Sequence, residues 1–195
     1  MRFILASKSP RRKEILSELG LKFDIITADT DESCSLSDPR AYVEELALRK
    51  GRAVAEITVL DGESLIIASD TVVACNDEIL GKPQDRADAR RMLDMLSGKS
   101  HKVISGIALI TKDKSISASE VTEVIFDEMT DADKDFYLNS KEPYDKAGAY
   151  AVQGLASMWI RGIVGDYFNV VGLPVKLLHD KLKSEFGIDI AKEIK

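Results

Sequence analysis

The 195-residue chain is long enough to bury one sizeable core, either as a single body or as one domain folded in two lobes. Its formal net charge of −6, with acids and bases interspersed, argues against a nucleic-acid polymer as partner, because such binders carry a basic face or stripe. Cys34 and Cys75 are its only cysteines; without CxxC spacing they argue against a disulfide scaffold or a zinc site and for a reducing, cytoplasmic setting.

The opening MRFILASKSPRR has a short apolar stretch with its positive charges after it, which does not read as a signal peptide. No apolar run approaches the ~20 residues that span a bilayer, so a soluble protein without a membrane partner is expected. Residues 2–6 predict a buried strand. Ser9-Pro10 then opens a helix, with Ser9 as N-cap, Pro10 at the first helical position, Ile15, Leu16 and Leu19 as apolar face and Gly20 as stop. A second strand is predicted over 22–27. After a polar loop, Pro39 starts a long helix over about 39–56 with Val43, Leu46, Ala47 and Val54 facing inward.

Residues 65–75 form a β-branched run, followed by a tight turn at Asn76-Asp77, a returning strand at 78–80 and a loop at Gly81-Lys82-Pro83. Asp85 caps a helix over 86–97, stopped by Gly98. Two long strands follow, near 101–112 and 115–128, and Thr130 caps a helix to about Asn139. Residues 141–154 show no clear period. A strand over 158–164, a turn at Gly165-Asp166 and a helix from Pro174 to near Gly187 complete the pattern. Strands and helices interleave, with hairpins in the middle, so the expected fold is α/β: a mixed central β-sheet with flanking helices, one domain without a linker.

Four clusters carry chemistry. The first is Ser7-Lys8-Ser9-Pro10-Arg11-Arg12. A helix N-terminus presents partial positive charge and unpaired N–H groups, so each cation in its first turn costs roughly 0.3–1 kcal/mol unless an anion answers it. A polyphosphate would answer Arg11 and Arg12 together; otherwise they are solvated, or paired with Glu14 and Glu18. The second is Asp70, a carboxylate inside an apolar strand. Such a group must be paired, bind a metal or sit at a strand end, so it is either a turn anchor or a metal ligand and proton acceptor. The third comprises Lys50, which as a lone helix lysine reads as a solvated surface group, Lys82, more suggestive on its stiff Gly-Lys-Pro loop just past Asp70, and Glu32, weak alone. The fourth is Glu142–Gly154, which combines two acids, a lysine, small residues and Gln153, able to read a base edge. The other reading, an irregular surface loop, has against it the apolar run from Ala147 to Val152. His101 and His179 fit no triad or metal spacing and read as structural. Neither a Walker A nor a GxGxxG pattern occurs.

In chain order, LASKSPRRKEIL, SDTVV followed by ILGKP, MLDMLSGKSHKVISG, EPYDKAGAYAVQG and GDYFNVVGLPV resemble the Maf family of nucleoside triphosphate pyrophosphatases, from residue 4 to about residue 182. The resemblance implies a fold related to inosine triphosphate pyrophosphatases, with two lobes around a cleft, commonly as a homodimer. It further implies cleavage between the α- and β-phosphates with the help of Mg²⁺ or Mn²⁺. Arg11, Thr71 and Gln153 stand at the positions that mark substrate subgroups and look like the subgroup acting on dTTP and UTP, with modified pyrimidine triphosphates as further substrates, where they would face the base. By the same resemblance Asp70 is the base toward the attacking water, or orients it through a metal that Glu32 helps to hold. Arg12, Lys50 and Lys82, with Ser7 and Ser9, would neutralise the triphosphate. Two other readings are a purine-type pyrophosphatase clearing inosine or methylguanine triphosphates, and a non-catalytic nucleotide-binding regulator of septum formation.

Overall fold

The protein is described here by a computed structural model covering residues 1–194. Its strands are β1 (Arg2–Leu5), β2 (Phe23–Ile25), β3 (Ser64–Cys75), β4 (Glu78–Leu80), β5 (Ser100–Ile110), β6 (Ser115–Phe126) and β7 (Ile160–Val164). Its helices are α1 (Pro10–Glu18), α2 (Pro39–Ile57), α3 (Arg86–Leu96), α4 (Asp131–Leu138), α5 (Tyr167–Val171), α6 (Val175–Phe186) and α7 (Ile190–Glu193). The sheet runs β2-β1-β3-β5-β6-β7, with β4 paired to β3. β1 is parallel to both β2 and β3, whereas β4 on β3 and β7 on β6 are antiparallel. The mixed α/β architecture is the one the interleaved pattern predicts.

Local chemistry explains most element ends. The Asp38 carboxylate accepts from the Ala41 N–H at 3.2 Å with Pro39 beginning α2, and Asp85 accepts from the Asp88 N–H at 2.8 Å to start α3. Thr130 and Asp133 complete a reciprocal capping box on α4. Asn76 and Asp77 both take positive φ, as a tight hairpin between β3 and β4 demands. Ser9 departs from expectation: it stands at the N-cap of α1, but its hydroxyl makes no capping bond. Its own N–H donates instead to Ser7 Oγ at 3.2 Å. Residues 141–154, without a readable period, and the residues just after them fold as three short 3₁₀ turns (Pro143–Asp145, Ala147–Ala149, Leu155–Trp159), and the last takes the first two residues of the strand predicted from 158. The short helices α5 and α7 carry too few residues to show a helical period.

The chain divides into two compact units. The first comprises Met1–Asp70, Ser105–Glu120 and Gly172 onward; the second comprises Thr71–Ile104 and Val121–Val171. In the first, Ile4, Ala6, Ala47, Val54, Ile66, Ala68, Ala108 and Ile110 form a core between α2 and the sheet. In the second, the α3 stripe of Ala89, Met92, Leu93 and Leu96 packs with Val73, Val103, Phe126, Tyr137 and Tyr150. Burying each such large side chain stabilises by about 1.5–3 kcal/mol, so this stripe rather than helix propensity holds α3 in place. Among the described residues no helix is long and apolar enough to cross a membrane.

Candidate active site

The first unit gathers its chemistry where β1 ends beside β3. Leu5 pairs with Ile67, the Ala6 N–H donates to the Ile67 carbonyl at 2.8 Å, and Ser7 then leaves the sheet while β3 continues to Asp70. In parallel α/β sheets ligands collect at this carboxyl end of the strands. Ser7 is buried, and Asp70 is only 8% exposed.

Asp70 is answered by Lys50. The ammonium donates to Asp70 Oδ1 at 2.6 Å and lies 2.8 Å from Glu32 Oε1, so one cation sits between two carboxylates. Two features of α2 bring it there. Lys50 occupies the inward stripe of the helix, seven residues after Val43 and four before Val54, both buried. The helix also lies unusually close to the sheet: a Cβ on Gly106 of β5 would come within 2.5 Å of the Val43 carbonyl oxygen. Glu32 is delivered by a loop pinned to the same helix. Arg49 Nη1 donates to the Ser33 carbonyl at 2.6 Å, and the Asp31 carboxylate accepts from the Ser33 N–H and hydroxyl at 2.8 and 2.7 Å.

Arg12, from the first turn of α1, does not pair with Glu14 or Glu18. Its Nε donates to the Gly172 carbonyl at 2.8 Å and its Nη1 to Ser7 Oγ at 3.3 Å. Ser69 Oγ donates to the same Gly172 carbonyl at 3.1 Å, which ties α1, β3 and the segment before α6 together. Burial pulls the Arg12 guanidinium below its ordinary range and the neighbouring Arg11 acts the same way, while Asp70 and Glu32 oppose both. Burial and the field of Asp70 raise the Tyr42 phenol, which therefore stays protonated beside the cluster. Lys8 turns away to an exposed pair with Asp29 at 2.8 Å.

Ser7, Arg12, Glu32, Lys50 and Asp70 are thus brought together, and Ser9 and Arg11 flank them at the start of α1. Thr71, Lys82 and Gln153 belong to the second unit. There Lys82 is exposed on the loop after β4, and Gln153 is exposed on the segment between two 3₁₀ turns. Sequence reasoning passed over two members of the first cluster. Tyr42 gave no signal beyond its place one residue before the buried Val43. Gly172 could have been noticed as part of the Gly172-Leu173-Pro174 entry to α6.

The carboxylates of Asp70 and Glu32 both reach one cation position, as the Lys50 nitrogen demonstrates. Hard oxygen donors in that number suit Mg²⁺ or Mn²⁺, which commonly take one or two carboxylates and complete their shell with water and substrate phosphates. No group of three or more His, Cys, Asp or Glu able to hold a metal occurs among the described residues. A metal here would therefore need oxygens from substrate or water. Chemically, the arrangement offers a buried carboxylate next to an ammonium and a guanidinium, at the entrance of a helix whose first turn lacks acids.

The family model described as Maf-like protein matches residues 2–185. The chain is 46% identical over 190 residues to a protein of Bacillus anthracis named dTTP/UTP pyrophosphatase, covering 97% of each. A protein of Bacillus thuringiensis subsp. konkukian with the same name is likewise 46% identical, and one of Bacillus cereus (strain ATCC 10987 / NRS 248) is 45% identical, with 92% of that protein covered. Among solved structures, the Staphylococcus aureus Ham1 protein superposes with a TM-score of 0.50 at 13% identity, covering 100% of this chain and 94% of that one. That likeness places the fold.

Proposed function

We propose, proceeding from a chain that belongs to the Maf-like protein family, that it hydrolyses dTTP and UTP to the monophosphate and pyrophosphate. The observation that carries the reading is the buried Asp70 carboxylate paired with Lys50 beside Arg12, within β3 where the neighbouring β1 ends. A carboxylate so placed suits proton transfer from water, and the cations suit a polyphosphate.

In this mechanism Asp70 takes a proton from the water that attacks the α-phosphorus. The new O–P bond forms as the bond from the α-phosphorus to the bridging oxygen breaks, and pyrophosphate leaves with the electron pair. Lys50 holds Asp70 in place. Together with Arg12, Lys82 and the hydroxyls of Ser7 and Ser9, it offsets the charge moving onto the leaving group. Mg²⁺ or Mn²⁺, held by Asp70 and Glu32, would screen the phosphate charge and polarise the P–O bonds when bound. Arg11, Thr71 and Gln153 read the base. A cytoplasmic homodimer completes the reading: Cys34 and Cys75 are free thiols, which suits a reducing compartment, and light scattering in solution tests the dimer.

The deciding experiment incubates the protein with a panel of triphosphates and Mg²⁺ or Mn²⁺ and measures pyrophosphate. UTP and dTTP are expected to lead; equal or faster turnover of ATP or inosine triphosphate rejects the pyrimidine assignment. Asp70→Asn is expected to lose about 10²–10⁴-fold in kcat while still binding nucleotide. Near-parental turnover would remove Asp70 from its role.

A further inference from the structure

The Glu142–Gly154 segment contains an acid that the proposed chemistry leaves unused, and the second unit shows what it holds. Tyr137 of α4 is fully buried, and its hydroxyl donates to Glu142 Oε1 at 2.9 Å. The other side of the carboxylate faces the chain after Gln153: Glu142 Oε2 accepts from the Leu155 N–H at 3.0 Å, and Oε1 lies 3.4 Å from the Ala156 N–H. One Tyr–Glu pair therefore grips the backbone at Leu155 and Ala156, just after the exposed Gln153 and Gly154.

The grip is also tight. Gly154 adopts φ +130°, and a Cβ there would fall 2.4 Å from Glu142 Oε2, so the backbone lies directly against the carboxylate. Upstream, Tyr150 OH pairs with His101 Nε2 at 2.7 Å, and its ring packs edge-on against Phe126 at 4.9 Å. The Gly148 N–H donates to the Gly81 carbonyl at 3.0 Å, next to Lys82. Hydrogen bonds to an ionised carboxylate are about twice as strong as neutral ones and hold their geometry correspondingly well. A side chain that must read a base edge gains from such a mount, because a binding group misplaced by about 1 Å can cost up to about 10²-fold.

We infer that Glu142, acting with Tyr137, is a positioning residue for substrate selection, fixing the span that presents Gln153. The inference rests on the assignment of Gln153 to the base. It differs from a purely structural role in one respect: loosening the grip degrades the choice among bases more than it degrades turnover.

The test measures kcat and KM with UTP and with inosine triphosphate for the parent, Glu142→Ala, Glu142→Gln, Tyr137→Phe and Gln153→Ala. The UTP preference in kcat/KM is expected to fall about tenfold in Glu142→Ala and Tyr137→Phe, mainly through the KM for UTP. Glu142→Gln, which keeps an acceptor oxygen, is expected to retain part of it. In a Gln153→Ala background Glu142→Ala is expected to cause no further loss of preference. Should Glu142→Ala lose its circular dichroism spectrum, Tyr137→Phe decides, since it keeps the ring in the core. Unchanged preference in the folded variants overturns the inference, as does an equal loss with and without Gln153. A parent without UTP preference removes the pyrimidine reading, and this inference with it; a parent that prefers UTP beside variants that do so equally removes the inference alone.

Discussion

Replacing Lys50 by Met probes the central pair without removing the stem that packs in the helix stripe. The side chains of Lys50 and Asp70 are 19% and 12% exposed, so the charge left on Asp70 would be largely out of water. Breaking a buried pair by deleting one partner costs about 3–5 kcal/mol. The field of Arg12 on Asp70 survives the change and lowers that figure. The Glu32 side chain is 58% exposed, and its pair adds only about 0–1 kcal/mol. The expected loss is therefore about 2–3 kcal/mol, or roughly 5–10 °C in Tm for a chain of this length. Thermal and urea denaturation at neutral pH measure it. The Lys50→Met/Asp70→Asn double variant is expected to lose less than the sum of the singles by about 1–2 kcal/mol, because the orphaned charge is gone. A Lys50→Met protein within about 0.5 kcal/mol of the parent, or strictly additive singles, would refute the view that the pair is buried and coupled.

Two further changes test the fold, one in each unit. Gly106→Ala places a methyl against the Val43 carbonyl and the Glu44 nitrogen, backbone atoms that cannot rotate away, so it is expected to cost about 1–3 kcal/mol. By lifting α2 it should also lower kcat at temperatures where the variant is still folded; unchanged Tm and kcat would mean that α2 is not held by this contact. His101 titrates at about 4, pulled down from its ordinary 6.5 by burial. Between those values the unfolded chain binds a proton that the folded one does not. The stabilisation is therefore complete above pH 6.5 and lost as pH falls toward 4, with an upper limit of about 3 kcal/mol. Urea midpoints from pH 7 to 4.5 should fall less steeply in His101→Gln; identical slopes would show that His101 does not titrate differently on folding.

The elements that announced themselves did so through local chemistry. Asp38-Pro39, Asp85 and the Thr130–Asp133 box mark helix starts because their side chains bond the first free N–H groups of their own helix. Asn76-Asp77 marks a hairpin because both residues tolerate positive φ. The segment from Glu142 to Gly154 stayed unreadable, and the strand after it was read as starting two residues early, for the opposite reason. Its 3₁₀ turns have no long period, and its backbone is satisfied by remote partners such as the Gly81 carbonyl and the Glu142 carboxylate.

From the sequence alone came the α/β order, the acid isolated in an apolar strand and the cations at a helix start that call for an anion. All of these depend on neighbours a few residues apart. Lys50 looked like a solvated lysine, although its spacing from Val43, Ala47 and Val54 had already put it on the inward stripe. Only the tertiary structure decided that Asp70 waits there to receive it, that Arg12 prefers the Gly172 carbonyl to Glu14 or Glu18, and that Glu142 grips the chain around Gln153. Those partners lie 20, 160 and 13 residues away in the chain. Which side chain meets which at such separations is set by the closeness of α2 to the sheet and the path of the backbone, and no local spacing encodes either.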